Sequence, residues 1–254
     1  MAYRYLFGQM VRRELRQKYK GSALGVLWYL INPLVLMGAY YLMFGLIFKL
    51  DDIEDYPLFL MVGLVVWIFF SQAVLSAAPS LLEHGALVRK ARFPRATIPG
   101  AVVSVQMVTF IVILLLLGVV TIAIRGTLDV ALLLLPAILA CLYAFTLGFA
   151  LAVSILHAYF RDVAPILSAA LLPWFFLSPI FFRIESVTSR DEYRKLLEWG
   201  NPLSPFITAV RDVLYGGTVP DLGVLAYVGG AAVVMLLGGK WLFDRMQDEL
   251  AVVV

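Results

Sequence analysis

Residues 56–82 read YPLFLMVGLVVWIFFSQAVLSAAPSLL, a run of 27 positions without one charged side chain. A helix rises about 1.5 Å per residue and the hydrocarbon core of a bilayer is about 30 Å thick, so about 20 apolar residues cross it. This run is longer than that. Working outward, five further uncharged runs follow the same logic: Gly21–Phe48, Ala96–Ile124, Val130–Phe160 (broken only by His157), Val163–Phe182 and Leu222–Gly239. The sequence therefore predicts an all-α integral membrane protein with six transmembrane helices in one domain, residues 1–254. Composition agrees. Of 254 residues, 62% are apolar and 15% charged, against about 45–50% and about 25% in soluble domains, and mean hydropathy is +0.92. An ordinary cytosolic enzyme and a disordered tail are excluded. A disulfide scaffold is excluded too, since Cys141 is the one cysteine. The first run is too long for the core of a cleavable signal, about 7–15 residues, and follows a charged segment.

Orientation follows the Lys/Arg balance. Residues 1–20 carry six basic side chains (Arg4, Arg12, Arg13, Arg16, Lys18, Lys20) against Glu14. The loop 83–95 carries four against Glu83, whereas 49–55 has one base and four acids. An even number of spans puts both termini on one side, which then holds 13 of the 20 basic residues. Both termini are expected in the cytoplasm, with the chain multi-pass in a plasma membrane. The positive-inside rule and anionic lipid headgroups explain the basic excess, and nucleic acid is not an expected partner.

Within residues 1–20, Tyr3, Leu6, Phe7, Met10, Val11 and Leu15 recur at helical spacing, with bases toward the C-terminal half. This reads as an amphipathic helix in the membrane interface, interrupted on its apolar face by Glu14. It serves either as an anchor or as a cuff touching a partner. In the fourth run Ala140, Ala144, Gly148 and Ala152 recur every four residues, a stripe that lets helix backbones approach closely. Packing inside the chain is preferred to a subunit interface. In the fifth run Pro173 and Pro179 remove backbone donors, and the freed carbonyls need protein or a water-lined cavity at that depth. A break facing a passage is expected there. Residues 183–221 mix five bases and six acids with apolar side chains. They are read as short amphipathic or re-entrant helices at the outer face, turning at Asn201-Pro202, either a gate or a cap.

Two distant histidines, His84 and His157, and one cysteine make no metal cluster of familiar spacing. Gly238-Gly-Lys240 looks like the end of a phosphate loop, but position 234 is Val234, so a Walker A is excluded. The spans lack the buried Asp, Glu or Lys of an ion-coupled transporter. The chain has a transporter's architecture without an energy source of its own. Aromatics gather in three spans: Tyr40, Tyr41 and Phe44; Trp67, Phe69 and Phe70; Trp174, Phe175, Phe176, Phe181 and Phe182. They form interfacial belts or a track on which the flat faces of sugar rings pack, and composition does not choose between these.

Several motifs together resemble the ABC-2-type permeases that export cell-surface polysaccharides. RELRQKYKGSALGVLW at 13–28, ending at Asn32-Pro33, looks like that family's interface helix entering span one. LVRKARFPR at 87–95, with Pro99 beyond, looks like its first cytoplasmic loop with a coupling helix. YFRDV at 159–163 and LSPI at 177–180 follow, then Asn201-Pro202, Arg211 and LYG at 214–216. The resemblance implies a homodimer with two copies of an ATP-binding subunit, ATP and Mg residing on that subunit and no cofactor on this chain. It implies a polymer on undecaprenyl pyrophosphate as substrate: wall teichoic acid, O-antigen or capsule, with wall teichoic acid slightly preferred. The chain itself is then not an enzyme.

On that reading the loop 83–95 seats in the ATP-binding subunit. Glu83 and His84 head it, and Arg89, Lys90 and Arg92 pair with acids or lipid phosphates. Arg161 and Asp162 form a second coupling candidate, or cap helix ends. Arg12, Arg13, Arg16, Lys18 and Lys20 recruit the pyrophosphate headgroup, or serve membrane binding alone. Tyr40, Tyr41, Phe44, Trp67, Phe70, Trp174, Phe175 and Phe181 line the polymer's path, and 183–221 seals its outer end. The rivals are an integral membrane enzyme acting on lipid-linked sugars, for which Asp51–Asp55 is the one dense acidic cluster, and a secondary transporter.

Overall fold

In the computed structural model the described residues are 2–19, 27–47, 53–90, 94–125, 129–184, 191–248 and 250. Helix α1 spans Ala2–Tyr19, and α2 Trp28–Tyr40 runs on as a π-helical stretch, Tyr41–Ile47. Then come α3 Tyr56–Ala77, the short α4 Ser80–Glu83 and α5 Gly85–Lys90, and α6 Thr97–Arg125. A 3-10 turn, Val130–Leu134, leads into α7 Leu135–Tyr159, followed by α8 Val163–Leu177. Beyond it lie α9 Asp191–Lys195, π-helical Leu196–Gly200, α10 Ser204–Arg211, π-helical Asp212–Gly216 and α11 Leu222–Met246. Among the described residues every regular element is helical.

Among the described residues, five helical segments are long and apolar enough to span a membrane: Leu30–Ile47, Tyr56–Ala77, Thr97–Ile124, Val130–Tyr159 and Leu222–Met246. The sequence predicts six, and the difference is α8. Its 15 residues make about 22 Å of helix, short of the hydrocarbon thickness. The uncharged run continues to Phe182, but the helix does not. Pro173 is held inside α8, and the chain turns extended at Ser178 (φ −88°, ψ 142°), directly before Pro179. Proline disfavours a helical residue before it, so the Ser-Pro pair ends the rod while the apolar run goes on.

The helices take their places by how much apolar surface each can hide. The buried share of α3 is 83%, against 6% for the first span. A helix apolar on every side belongs at the centre of a bundle, and α3 packs against α2, α6, α7, α8 and α10. α7 and α11 cross most tightly. A Cβ on Gly148 would overlap the Met235 carbonyl, and one on Gly239 would overlap Gly148. Only glycine permits that approach. The small-residue stripe thus reaches its partner inside the chain through Gly148, while Ala140 is exposed. Gly239, part of the phosphate-loop look-alike, is half of this crossing.

Two apolar clusters organise the bundle. The larger joins α3, α6, α7, α8, α10 and α11. The smaller joins Met10 of α1, Leu81 of α4, Val88 of α5, Ile98 and Ala101 of α6, Ile155 and Ala158 of α7, Phe243 of α11, and Leu250. It brings α1 and the end of α11 to one end of the molecule. The last carbonyls of α11 are satisfied there, Met246 by the Tyr159 hydroxyl at 2.6 Å and Gln247 by the Arg95 guanidinium.

Candidate functional site

At the end of the molecule away from α1, the break after α8 exposes backbone to an apolar interior. The carbonyls of Leu177, Pro179, Ile180 and Phe181 are met by side chains. Arg211, at the last turn of α10 and 8% exposed, donates from Nη1 to Pro179 O at 2.8 Å. Its Nη2 donates to Ile180 O at 3.2 Å and to Phe59 O at 3.4 Å. The guanidinium carbon lies 3.6 Å from the centre of the Phe59 ring, a cation–π geometry. Burial pushes the guanidinium down to about 9 against the upward pull of Asp212, so it remains a cation at neutral pH. A fork of five donors suits carbonyls that diverge from a broken helix. Gly63 makes room: a Cβ there would lie 2.5 Å from Arg211 Nη2 and 3.3 Å from Ile180 Cα.

Asn201 closes the same break from the other side. Its Nδ2 donates to Ser178 Oγ at 3.0 Å and to Leu177 O at 3.3 Å. Its Oδ1 accepts from Trp174 Nε1 at 2.8 Å and from Leu203 N at 3.1 Å. The Tyr56 hydroxyl donates to Phe181 O at 2.9 Å, and the Tyr215 hydroxyl to Glu54 O. α8, α10 and the start of α3 are thereby knitted into one polar lock. A cleft of about 350 Å³ opens beside it, lined among others by Arg183, Glu198, Thr208, Asp212 and Tyr215. Its mixture of guanidiniums, carboxylates and hydroxyls suits polar neutral groups better than a net charge. From the sequence Asn201 reads as a turn residue with Pro202, and Arg211 enters only through the family resemblance. The Ser178-Pro179 break was the signal that a donor must be found for those carbonyls.

Of the eight aromatics expected along the polymer's path, seven form one contiguous group of rings, and Tyr41 meets Tyr56 instead. Tyr40 lies 5.5 Å from Phe175 and 4.9 Å from Phe181 between ring centres, and Phe44 stacks on Phe181 at 4.6 Å. Trp67 is 5.4 Å from Phe175 and 6.1 Å from Trp174, Phe70 is 5.3 Å from Trp174, and Tyr41 is 6.3 Å from Tyr56. Within the protomer Trp67, Phe70, Phe175 and Phe181 are buried. Tyr40, Tyr41, Phe44 and Trp174 are half-buried.

At the α1 end, two short helices, α4 and α5, stand at the start of the loop 83–95. Glu83 at the end of α4 and Ala86 and Arg89 on α5 are exposed. His84 turns inward: Nε2 lies 3.1 Å from Glu14 Oε1 and Nδ1 lies 2.9 Å from Ser80 O. Arg161 and Asp162 are exposed in the tight turn between α7 and α8, and Asp162 stands at the N-cap of α8 without a side-chain capping bond. On α1, Phe7, Met10 and Val11 face the small cluster while Arg12, Arg13 and Arg16 are exposed. The amphipathic reading holds, and Glu14 on the apolar face has its partner in His84. Lys20 and Arg92, the side chains of Lys18 and Lys90, and Asp51 and Asp52 of the acidic loop lie outside the described residues.

An apolar bundle of long helices with a polar lock at one end and two short helices at the other has the architecture of an integral membrane protein. Residues 5–215 match the sequence profile of the ABC-2 type transporter family, and the chain belongs to it. It is 30% identical over 249 residues to the O-antigen export system permease protein RfbA of Myxococcus xanthus, covering 98% of this chain and 95% of that one. It is 26% identical to the protein of the same name from Klebsiella pneumoniae, covering 97% and 95% respectively.

Proposed function

We propose that the chain is the permease subunit of an ATP-driven exporter of a cell-surface polysaccharide. End-to-end similarity to proteins named O-antigen export permeases carries this reading. These relatives move the preference from wall teichoic acid to an O-antigen-type polymer, and they lend nothing to a membrane enzyme. The working unit is a homodimer with two ATP-binding subunits, on which ATP and Mg reside. Both termini face the cytoplasm, and the polymer travels attached to undecaprenyl pyrophosphate in the plasma membrane.

The side chains then take roles in order along the path. Glu83 and Arg89 on α4–α5, with Arg161 and Asp162 in the neighbouring turn, receive the stroke of the ATP-binding subunit. Arg12, Arg13 and Arg16 attract the pyrophosphate headgroup at the inner leaflet, where a basic helix favours anions. Helices α2 and α8 of the two copies part, and the aromatics Tyr40, Phe44 and Trp174 on their margins pack against sugar rings. The Asn201–Arg211 lock and the helices around it seal the outer end.

The test is reconstitution in vesicles with the ATP-binding subunit encoded beside it. ATP should drive radiolabelled lipid-linked O-polysaccharide to the far side, and a hydrolysis-deficient ATP-binding subunit should abolish this. Transport that survives ATP depletion and collapses with a proton ionophore would overturn the proposal, as would chemical conversion of the lipid-linked sugar by this chain alone.

A further inference from the structure

Glu14 is the single acid among the first 20 residues, and it sits on the face of α1 turned to the bundle. Its side chain is 22% exposed and that of His84 is 12% exposed. A carboxylate on a half-buried face is costly unless it is paired. His84 meets two acceptors at once, the Ser80 carbonyl at 2.9 Å and Glu14 Oε1 at 3.1 Å. One helical turn away along α1, Met10 packs in the same cluster as Leu81 of α4 and Val88 of α5. The helix pair α4–α5 thus has two faces. Glu83, Ala86 and Arg89 look outward, while Leu81 and Val88 point into the small apolar cluster and His84 meets Glu14 of α1.

We infer that the Glu14–His84 pair is a strut that makes the interface helix and the coupling element move as one body. A push delivered on Glu83 and Arg89 then displaces α1 and carries with it the exposed guanidiniums of Arg12, Arg13 and Arg16. The apolar packing of α1 is chiefly against α6, so it fixes neither the register nor the tilt of α1 against α4–α5. A directed bond between one carboxylate and one imidazole fixes both. His84 and Glu14 are positioning residues: neither needs to touch ATP or polymer. The inference rests on the permease reading above.

The experiment uses the reconstituted complex with its ATP-binding subunit. Glu14→Gln and His84→Asn should leave ATP hydrolysis within about twofold of the parent while polymer transport falls about tenfold. The exchanged pair Glu14→Lys with His84→Glu should recover a substantial part of transport, which a loss of helix stability would not allow. A covalent version tests the same point. In a Cys141→Ser background, Glu14→Cys with His84→Cys should transport poorly as free thiols and regain transport when joined by a short bifunctional thiol reagent. Single variants that transport at the parental level overturn the strut, as does an exchanged pair no better than the singles, or a cross-linked pair that is blocked. A parent complex without ATP-dependent transport would instead sink the permease reading itself.

Discussion

Arg211 Nη1 lies 2.8 Å from the carbonyl oxygen of Pro179, so a cation at the end of α10 closes the break that follows α8. The two features depend on each other. The Ser-Pro pair ends the helix and leaves carbonyls of residues 179 and 180 without intrahelical donors. The guanidinium, enclosed by Phe59 and the broken backbone, has those carbonyls and that of Phe59 as its recorded acceptors. Replacing Arg211 with Met keeps the volume and removes every donor. Each orphaned buried carbonyl costs about 1–3 kcal/mol, so Arg211→Met should lower the detergent melting temperature clearly and abolish transport. Arg211→Lys keeps the charge but not the fork, and should fall between. A parental melting temperature for Arg211→Met would show that the cation does not hold the break.

Gly63 faces this guanidinium and supplies an internal control on space. A Cβ at 63 would lie 2.5 Å from Arg211 Nη2, whereas nothing lies within 4 Å of one at Gly118. Both glycines sit in long helices, where alanine is intrinsically better by about 1 kcal/mol. Gly118→Ala should therefore be neutral or slightly stabilising. Gly63→Ala should lose about 1–3 kcal/mol through overpacking against a group that cannot retreat. Thermal unfolding of the two variants side by side reads the difference, and equal stability would mean that Arg211 has room to shift.

Much of this architecture stands in the sequence because a bilayer is an exacting solvent. Uncharged runs give the spans, and Pro173 and Pro179 announce a break where one is found. The run Val163–Phe182 overstated its helix because counting apolar residues does not detect that Ser178 turns extended before Pro179. The partners of Arg211 are main-chain carbonyls, which no residue pattern can announce. Glu14 reads as a flaw in an amphipathic helix until His84, 70 positions on, is brought to it. Gly148 was visible in a stripe of small residues. Gly239 is not legible as its partner, because Gly229, Gly230, Gly238 and Gly239 all stand in the last apolar run and no pattern marks which of them meets Gly148.

The Asn201 amide offers a second way to loosen the lock without touching a charge. Trp174→Phe retains most of the ring packing against Trp67 and Phe70 and deletes the 2.8 Å indole bond. A net loss of about 1 kcal/mol is expected for one such bond. Asn201→Ala removes that bond and three more contacts at once and should cost more than Trp174→Phe. The double variant should add little to Asn201→Ala alone, since both act on one network. Additive losses in melting temperature would mean that the indole and the amide are independent.

The exposed face of α4–α5 can be separated from its buried one by what each variant spoils. Glu83→Ala and Arg89→Ala alter side chains that touch solvent in the protomer, so neither insertion nor melting temperature should change by more than about 0.5 kcal/mol in stability. Stimulation of the ATP-binding subunit should nonetheless fall, about tenfold for each 1.4 kcal/mol of docking energy lost. Arg161→Ala, in the turn between α7 and α8, should act in the same direction and more weakly, because one exposed charge on a turn offers a smaller surface than the exposed residues of α4 and α5. Leu81→Ala on the opposite face should do the reverse. It opens a cavity among Met10, Val88 and Ile155, costs about 2–5 kcal/mol, and lowers the amount of folded protein before it affects hydrolysis. Copurification yield, melting temperature and ATPase rate measured on the same preparations separate these cases. Unchanged stimulation in a Glu83→Ala, Arg89→Ala double variant would remove α4–α5 as the seat of the ATP-binding subunit.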